Sequence, residues 1–456
     1  MEVKGGRRMN YGRWASKEEI LSNLTKINKE SKIAHGGIPI TSDEENIYIE
    51  DRESHTLIIG STGSGKTQAM IMPSIKLSIE AGESLLVNDP KGEIYERLAD
   101  KLNQEGYHTI VLDFSDPRYG NNWNPLQLPY QLYQEDNPDQ ALKLIEDIAY
   151  YIFGEAAKNE DPFWINSAKN YFCGLCLYLF KYGKKEEINL SSIEKISYEI
   201  TKSEKLSKFI EQVENSNIFI KLRGIVLAPN ETKGSILSIF SDKIEKFLTR
   251  ESLLNMLSKS DFDITKVRSE KTAVFIVSKG SNCSENLIPL LFNQMIDSSV
   301  QNSDKTRRLN VLLDEFDSLI PIKDFAKQLS TCRSENLKIT VCIQSFVHLL
   351  NMYTKEETEI LKMCFATIVY LLSEDIYTLE EIQKYCGNIE ENGKLKPLIS
   401  IEELKILKQF EAIVLMTRML PFKTKLIPNY KIDWGYSEGN AKIPERETVT
   451  IDIMDV

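Results

Sequence analysis

The residues with the clearest chemical potential lie at 60–67, where the chain reads Gly-Ser-Thr-Gly-Ser-Gly-Lys-Thr. An apolar run, Thr56 to Ile59, precedes them, and a segment with helical character follows. A strand, a glycine-rich loop and a helix in this order form the context of a phosphate-binding P-loop. Glycines let backbone N–H groups turn toward phosphates, and the helix start adds free N–H groups and a positive dipole end. The alternative, a flexible loop with a stray lysine, does not explain why every fixed position and both flanks agree.

Two side chains of this loop have specific predicted roles. Lys66 would reach the β- and γ-phosphates of a nucleotide, and the hydroxyl of Thr67 would hold Mg²⁺. The sequence therefore predicts ATP and Mg²⁺ as cofactors. The candidate nucleotide-binding residues are Gly60, Ser61, Thr62, Gly63, Ser64, Gly65, Lys66, Thr67 and Gln68.

A second motif follows an apolar run at 309–313 and consists of Asp314 and Glu315. An apolar strand that ends in Asp-Glu is the Walker B pattern, in which the aspartate binds the Mg²⁺ shell. The glutamate would orient and deprotonate the attacking water, which requires a carboxylate close to the γ-phosphate. The alternative is an amphipathic strand that ends in two solvated acids, and the P-loop upstream makes that alternative weaker.

Two polar residues beyond the Walker B motif are further catalytic candidates. Gln344 ends the next apolar run, where a sensor of the γ-phosphate would sit in an α/β crevice. Arg333 could be an arginine finger that enters the site of a neighbouring subunit and neutralises charge on the γ-phosphate. The alternative for Arg333 is an ordinary surface residue that forms a salt bridge.

The elements around these motifs predict an α/β fold with a mostly parallel sheet. Apolar runs at 84–88 and 109–112 end at Asp89 and Asp113, and helical segments alternate with them. Strands alternating with helices are typical of βαβ units, whose ligands bind at the carboxyl ends of the strands. Pro73 is expected to kink or split the helix that follows the P-loop. Further strands are expected at 47–49, 272–277, 339–343, 366–371 and 412–416.

Helical periodicity replaces the strand signals between 130 and 262, which predicts a separate all-helical domain. We therefore expect five segments. They are a lead-in packed on the nucleotide domain (1–50), the first part of that domain (51–129), the helical domain (130–262), the second part of the nucleotide domain (263–435) and a polar tail with little order (436–456).

Composition limits the class of protein. The 456 residues carry a net charge of −11, which argues against a protein that coats nucleic acid as a monomer but not against a ring with a basic pore. The seven cysteines have no repeating spacing, so reduced thiols are expected, and the pair Cys173 and Cys176 is interpreted as core packing. The longest apolar run, near 172–180, is about half of the ~20 residues that a membrane span needs.

Taken with the two nucleotide motifs, the intervening residues resemble the type IV coupling proteins of conjugation and type IV secretion systems. The resemblance includes Asp-Pro-Lys-Gly-Glu at 89–93 and Asn-Trp-Asn-Pro-Leu at 122–126. It extends over nearly the whole chain in the order of that family. The other matching stretches are 60–67, 161–164, 231–235, 313–316, Arg333 and 344–345.

The resemblance implies a RecA-like P-loop NTPase domain interrupted by an all-alpha domain, with subunits assembled as hexamers and ATP bound between neighbours. It implies that Arg333 occupies the finger position and Gln344 the sensor position. It also implies a location at the cytoplasmic side of the bacterial membrane. The implied partners are a relaxase bound to single-stranded DNA, or secreted proteins, which the protein would deliver to the channel components.

Two departures from the family pattern affect these expectations. Members usually begin with transmembrane helices, and no such helix is expected here, so we expect a soluble fragment that could be a monomer, or else a naturally soluble member. His348 stands where the family often carries glutamine, which bears on details of the sensor region.

Two alternative functions remain open at this point. One is a DNA translocase of the FtsK or HerA type, which would share the ATP site but not the helical insertion. The other is a docking receptor whose ATP site controls assembly and which has little turnover of its own.

Overall fold

The computed structural model describes residues 12–28, 31–43, 45–156, 160–201, 203–214, 216–280, 285–391 and 393–455. The chain divides into two compact units. The first comprises Met1–Thr109, Val267–Val274 and Val300–Ala441, and the second comprises Ile110–Lys266, Phe275–Ser299 and Lys442–Val456. This grouping does not test the five predicted segments, whose boundaries stay a prediction.

The described residues form fourteen strands and seventeen α-helices. The strands are β1 Thr25–Ile27, β2 Ile38–Ser42, β3 Ile47–Glu50, β4 His55–Gly60, β5 Ser84–Asn88, β6 His108–Asp113, β7 Thr272–Val277, β8 Leu309–Leu313, β9 Leu337–Ile343, β10 Phe365–Leu372, β11 Asn388–Glu391, β12 Lys394–Pro397, β13 Glu411–Met416 and β14 Phe422–Lys425. The helices are α1 Lys17–Ser22, α2 Met72–Glu80, α3 Glu93–Gln104, α4 Gln127–Gln134, α5 Pro138–Phe153, α6 Pro162–Tyr182, α7 Leu190–Ile200, α8 Ser203–Val213, α9 Asn217–Val226, α10 Asn230–Leu248, α11 Glu251–Met256, α12 Leu287–Gln301, α13 Phe325–Cys332, α14 Phe346–Met352, α15 Lys355–Cys364, α16 Ile376–Cys386 and α17 Ile401–Lys405.

A nine-stranded sheet has the order β14-β13-β10-β4-β9-β8-β5-β7-β6. The pairs β10–β4, β4–β9, β9–β8 and β8–β5 are parallel, whereas β13 and β14 add an antiparallel edge. The strands at its centre are buried along their whole length, as expected when helices cover both faces of a parallel sheet. The α/β fold with a mostly parallel sheet is thus confirmed.

The helix after the P-loop is interrupted as predicted. Thr67–Ile71 is a π-helical turn in which the N–H of Met72 bonds to the carbonyl of Thr67, and α2 begins directly afterwards. Pro73 has no N–H to give to a carbonyl of the preceding turn, so the regular α-helical ladder is broken there. π-turns of this kind often lie at functional sites.

The second unit contains α4 to α11 and has a core of aromatic side chains. Phe240 stacks on Phe153 with ring centroids 5.9 Å apart and meets Tyr171 edge-on at 5.0 Å. Cys173 and Cys176 are buried free thiols, which confirms that this pair is core packing. The apolar run near 172–180 is buried in α6. Among the helices of the described part of the chain, none is long and apolar enough to cross a membrane.

The expectation of little order in the C-terminal tail is wrong for its described residues. In the first unit, the N–H groups of Gly439 and Ala441 bond to carbonyls of α3, and Glu438 lies 2.7 Å from the Nζ of Lys76. The Lys76 side chain is 1% exposed, so its ammonium needs a carboxylate partner, and the tail supplies one. In the second unit, the Met454 side chain is buried.

A buried ion pair fixes the start of the strand next to the P-loop strand. Lys338 lies at the start of β9, and its Nζ is 2.6 Å from the Oε2 of Glu50 at the end of β3. Neither side chain is more than 2% exposed. The same ammonium donates to the carbonyls of Glu50 and Arg52, so all three of its N–H groups have acceptors.

Replacing Lys338 by methionine should destabilise the first unit strongly. The substitution removes the ammonium beside the Oε2 of the buried Glu50 carboxylate and leaves only Arg52 and Ser54 on its Oε1. Breaking a buried ion pair typically costs about 3–5 kcal/mol. The matched control is Lys396→Met, because Lys396 and Glu391 form an ion pair of similar length, 2.8 Å, with both side chains more than half exposed. That exposed pair should contribute less than about 1 kcal/mol. Urea unfolding followed by circular dichroism checks this, and equal shifts for the two variants would contradict it.

Candidate functional site

The loop between β4 and the π-helical turn has the backbone that its glycines predict. Gly63 and Gly65 have φ angles of 80° and 97°, in the left-handed region where a side chain is strained. The N–H of Ser61 bonds to the carbonyl of Leu372 at the end of β10, and that of Ser64 bonds back to Ser61. The loop is therefore anchored at its start and curls over itself.

Side chains could not replace the glycines at two positions. A Cβ on Gly60 would collide with the Oγ of Ser64, and a Cβ on Gly65 would lie 2.7 Å from a ring carbon of Phe410. The Ser64 hydroxyl is itself buried without a hydrogen-bond partner in the described structure. The two clashes explain why glycine occupies positions 60 and 65.

Lys66 and Thr67 follow at the start of the helical turn. The ammonium of Lys66 donates to the carbonyls of Gly60 and Ser61, so it lies folded across the loop. The hydroxyl of Thr67 donates to the Oδ2 of Asp314 at 2.8 Å. The two sequence motifs, far apart along the chain, therefore meet in one place, as predicted.

Asp314 is held at the end of β8. Its carbonyl accepts a hydrogen bond of 2.6 Å from the Nδ2 of Asn88, which ends the neighbouring strand β5. Burial raises the pKa of Asp314 above its ordinary value, whereas the Thr67 hydroxyl and the charge of Lys66 oppose that shift. A divalent cation beside this carboxylate would offset the cost of its burial.

Glu315 has a strained backbone and points its carboxylate toward a lysine. Its φ and ψ angles are 52° and 42°, in the left-handed region that non-glycine residues rarely adopt. The N–H of Glu315 bonds to the Oδ1 of Asp314, and its carbonyl accepts from the N–H of Ser318. Its Oε1 is 3.4 Å from the Nζ of Lys91. The side chain is 42% exposed, so water can reach it.

Lys91 comes from the stretch 89–93, which follows β5. Asp89 is buried and accepts from the N–H groups of Ile94 and Tyr95, at the start of α3. Burial raises the pKa of Asp89 to about 7, although these two N–H groups favour its charged form. Gly92 follows with a φ of 76°. The loop is therefore fixed at both ends, and Lys91 extends from it.

Gln344 lies where its position at a strand end predicts. It directly follows β9 and lines the same cavity, and its N–H donates to the Oδ2 of Asp317 at 3.0 Å. His348, the residue that departs from the family pattern, contacts the Asp317 carboxylate at 3.6 Å and the Ser345 hydroxyl at 3.0 Å. The imidazole of His348 therefore contacts the same Asp317 carboxylate that accepts the hydrogen bond from the N–H of Gln344.

Arg333 is not brought to this site. It is exposed at the end of α13, on the amino side of β9. His55, at the amino end of β4, has a pKa lowered to about 4, chiefly by burial and with a contribution from the charge of Arg333. Arg333 therefore lies near the sheet edge opposite the P-loop of its own chain, and a finger role would require another subunit.

The site residues surround a cavity of about 370 Å³. Of the predicted residues, Gly60, Ser64 and Arg333 do not line it. Its lining residues are Ser61, Thr62, Gly63, Gly65, Lys66, Thr67, Gln68, Asp89, Pro90, Lys91, Glu93, Ile94, Asp314, Glu315, Asp317, Gln344, Gln409, Phe410 and Tyr430. A larger cavity of about 450 Å³, near Asp43 and Trp434, contains none of the predicted residues.

Several of these lining residues were missed by the sequence reasoning. Lys91 belongs to a stretch that carries the family resemblance, but no pattern in the sequence predicts a role for it. Gln409, Phe410 and Tyr430 lie in the loop before β13 and in a 3₁₀ turn, and no motif marks them.

The donor set fits a nucleoside triphosphate with Mg²⁺. Lys66 and the loop N–H groups suit phosphate oxygens, and Thr67 with Asp314 suits a hard cation. No cluster of three or more His, Cys, Asp or Glu side chains that could hold a metal occurs within the described residues. That finding is compatible with Mg²⁺, which usually takes one or two carboxylates and completes its shell with phosphates and water.

Comparisons with solved structures give the same fold. The bacterial conjugative coupling protein TrwBdeltaN70, in its unbound monoclinic form, has a TM-score of 0.65 at 17% identity, covering 87% of this chain and 88% of that one. The plasmid coupling protein TrwB in complex with ADP and Mg²⁺ has a TM-score of 0.64 at 17% identity, covering 88% of each chain. VirB4 of Thermoanaerobacter pseudethanolicus has a TM-score of 0.54 at 12% identity, covering 86% of this chain and 96% of that one.

Among curated proteins, no significant match to the chain was found. The model of one protein family, described as type IV secretory system conjugative DNA transfer, matches residues 13–392. That span contains the P-loop, the Walker B pair, Arg333 and Gln344. The chain therefore belongs to the conjugative DNA transfer family of type IV secretion systems.

Proposed function

We propose that this protein is an ATPase that recruits relaxase-bound DNA or protein substrates and delivers them to a type IV secretion channel. The observation that carries the proposal is the hydrogen bond between Thr67 and Asp314, which joins the two nucleotide motifs in one cavity. Family membership supports the transport role. The complexes of TrwB with ADP and Mg²⁺ and with an ATP analogue support ATP and Mg²⁺ as the cofactors.

The residues of the cavity have separate roles in this proposal. Lys66 leaves the loop carbonyls and binds the β- and γ-phosphates, and the loop N–H groups bind the remaining phosphate oxygens. Thr67 and Asp314 would hold Mg²⁺, which would supply positive charge beside the phosphates. The carboxylate of Glu315 accepts a proton from the attacking water, and Gln344 donates from its amide near the γ-phosphate.

Lys91 controls where the Glu315 carboxylate lies. The Nζ is 3.4 Å from the Oε1, and the charge of Glu315 raises the pKa of Lys91. Both side chains are about half exposed, so the pair adds little to stability. The ion pair instead determines where the Glu315 carboxylate lies, because a γ-phosphate in the cavity competes with Glu315 for the ammonium of Lys91. Binding of ATP would then free the carboxylate for catalysis.

Assembly completes the proposed mechanism. Arg333 cannot act in its own cavity, so a finger role places it in the site of a neighbour in a homo-hexamer. We assign this ring to the cytoplasmic side of the bacterial membrane, where it would meet relaxase, single-stranded DNA or secreted proteins, and the channel. The FtsK or HerA type of translocase is less favoured, because the family match covers the helical region as well as the ATP site.

The ion pair between Lys91 and Glu315 also fits a second function. A nucleotide-gated receptor with little turnover would keep Glu315 engaged by Lys91 and would use ATP to control assembly. ATPase activity that stays near zero at protein concentrations where hexamers form, with and without single-stranded DNA, would support this receptor.

Glu315→Gln should abolish turnover and keep nucleotide binding, whereas Lys66→Ala should lose both. The glutamine keeps the size of the side chain but cannot take a proton, and general base catalysis contributes roughly 10²–10⁴ in rate. The matched control is Glu390→Gln, an exposed glutamate in the hairpin of β11 and β12. Phosphate release with saturating Mg²⁺ and ATP measures turnover, and calorimetry with ADP measures binding. Parental turnover in Glu315→Gln would remove the catalytic assignment.

Mixing two inactive variants should restore activity if Arg333 works across a subunit boundary. Arg333→Ala keeps Glu315, and Glu315→Gln keeps Arg333. In a mixed ring, some sites therefore combine Glu315 from an Arg333→Ala subunit with Arg333 from a neighbouring Glu315→Gln subunit. With equal amounts, about one interface in four is complete. The ATPase rate of the mixture should therefore rise well above that of either variant alone.

The mixing experiment has a clear opposite outcome. If Arg333 acted only inside its own chain, or only in folding, the mixture would show the mean of the two separate rates. A size measurement of the mixture confirms that rings have formed under the assay conditions.

A further inference from the structure

One side of the nucleotide cavity is aromatic, and nothing in the sequence motifs accounts for it. Gln409, Phe410 and Tyr430 form this aromatic corner, which lines the cavity together with Gly65 and Gln68. We propose that Phe410 and Tyr430 form the subsite for the purine base of the nucleotide. This inference rests on the proposed function, because it requires that a nucleoside triphosphate occupies the cavity.

The orientation of a bound nucleotide follows from the charged residues. Lys66 serves the β- and γ-phosphates, and Glu315 must lie at the γ end because it activates the attacking water. In P-loop sites the backbone beyond the lysine cradles the phosphates nearer to the nucleoside. The nucleoside therefore leaves the loop on the side of Gln68. The turn Asn429–Lys431, which carries Tyr430, contacts the π-helical turn that contains Gln68, so the aromatic corner lies on that side.

Phe410 is held in place by an unusual backbone. Its φ is 68°, in the left-handed region that is costly for a bulky side chain. The carbonyl of Phe410 accepts from the N–H of Leu426 at 2.7 Å, and a tight turn joins Lys408 to Glu411. This conformation directs the ring onto Gly65, where only a glycine leaves room for it. Such strain beside a cavity is characteristic of functional positions.

Tyr430 completes the corner from a different element. It lies in the 3₁₀ turn Asn429–Lys431, and its ring meets that of Phe410 edge-to-face, with centroids 6.5 Å apart and planes at 68°. Its side chain is 65% exposed, although large aromatic residues usually bury their surface. The turn is anchored because the buried Asn429 donates to Glu438 at 2.6 Å. An exposed ring on a fixed turn is available to stack on a base.

The chemistry of the corner defines the class of ligand. Because the planes of Phe410 and Tyr430 lie at a steep angle, a base can stack on the face of one ring and contact the edge of the other. This arrangement suits the large π-surface of a purine. None of the three corner residues is charged, and Gln409 can both donate and accept a hydrogen bond. The corner therefore has no fixed charge to distinguish adenine from guanine. We expect ADP and GDP to bind with affinities within about threefold of each other, and CDP to bind more weakly.

Calorimetry on the full chain with Mg²⁺ tests the subsite by comparing ADP with inorganic tripolyphosphate. Tyr430→Ala should weaken ADP binding about tenfold, because loss of a stacking ring typically has an effect of that size. It should leave tripolyphosphate binding unchanged, since that ligand has no base. Phe410→Leu, which keeps an apolar side chain against Gly65, should weaken ADP binding in the same selective way. The matched control is Tyr198→Ala, which removes another exposed tyrosine, 56% exposed, in the second unit.

The outcomes separate this inference from the proposed function. If the parent binds tripolyphosphate and ADP equally well, or if Tyr430→Ala and Phe410→Leu leave ADP affinity unchanged, the base subsite is wrong while the phosphate site stands. If Tyr430→Ala weakens both ligands equally, the ring supports the loop and does not bind the base, which also overturns the inference. If the folded parent binds neither ligand, the proposed ATP function fails together with the subsite.

Discussion

The nucleotide site depends on one contact, the hydrogen bond between the Thr67 hydroxyl and the Asp314 carboxylate. The two residues are 247 positions apart in the chain, so this contact requires the sheet to be assembled in the correct order. Strand β9 lies between β4 and β8 and pairs in parallel with both, which brings their carboxyl ends to the same edge. Buried ion pairs such as Lys338 with Glu50 act at the other end of β9 and fix its start. The site is therefore a property of the sheet and not of either motif alone.

Two of the six non-glycine residues with positive φ in the described structure, Glu315 and Phe410, line the nucleotide cavity. Gly63 and Gly65 take left-handed angles at no steric cost, whereas Glu315 and Phe410 take them at a cost. In both non-glycine cases neighbouring hydrogen bonds from anchored elements hold the backbone, so the rest of the fold compensates. The effect is that a carboxylate and an aromatic ring both line the cavity. A relaxed backbone at either position would direct the side chain elsewhere.

The sequence predicted the parallel core and the phosphate half of the site because both rest on strong local patterns. Each apolar run proposed as a strand, from 47–49 to 412–416, is a strand. The strands that were missed, such as β1, β2 and β14, are short or edge strands with weak alternation. Phe410 and Tyr430 could not be found, since their relation to Gly65 exists only after β13 and β14 fold back antiparallel beside β10. Lys91 was visible as part of a motif, but its contact with Glu315 was not.

The polarity of the sheet also bears on the proposed finger role of Arg333. Parallel strands gather the phosphate loop, the Walker B acids and Gln344 at their carboxyl ends. The return helix α13 necessarily ends at the amino side of β9, where it leaves Arg333. A finger at that end can meet a phosphate only if the carboxyl edge of one subunit faces the amino edge of the next. A head-to-tail contact of this kind closes into a ring when its rotation permits, which is the symmetry that the proposed hexamer requires.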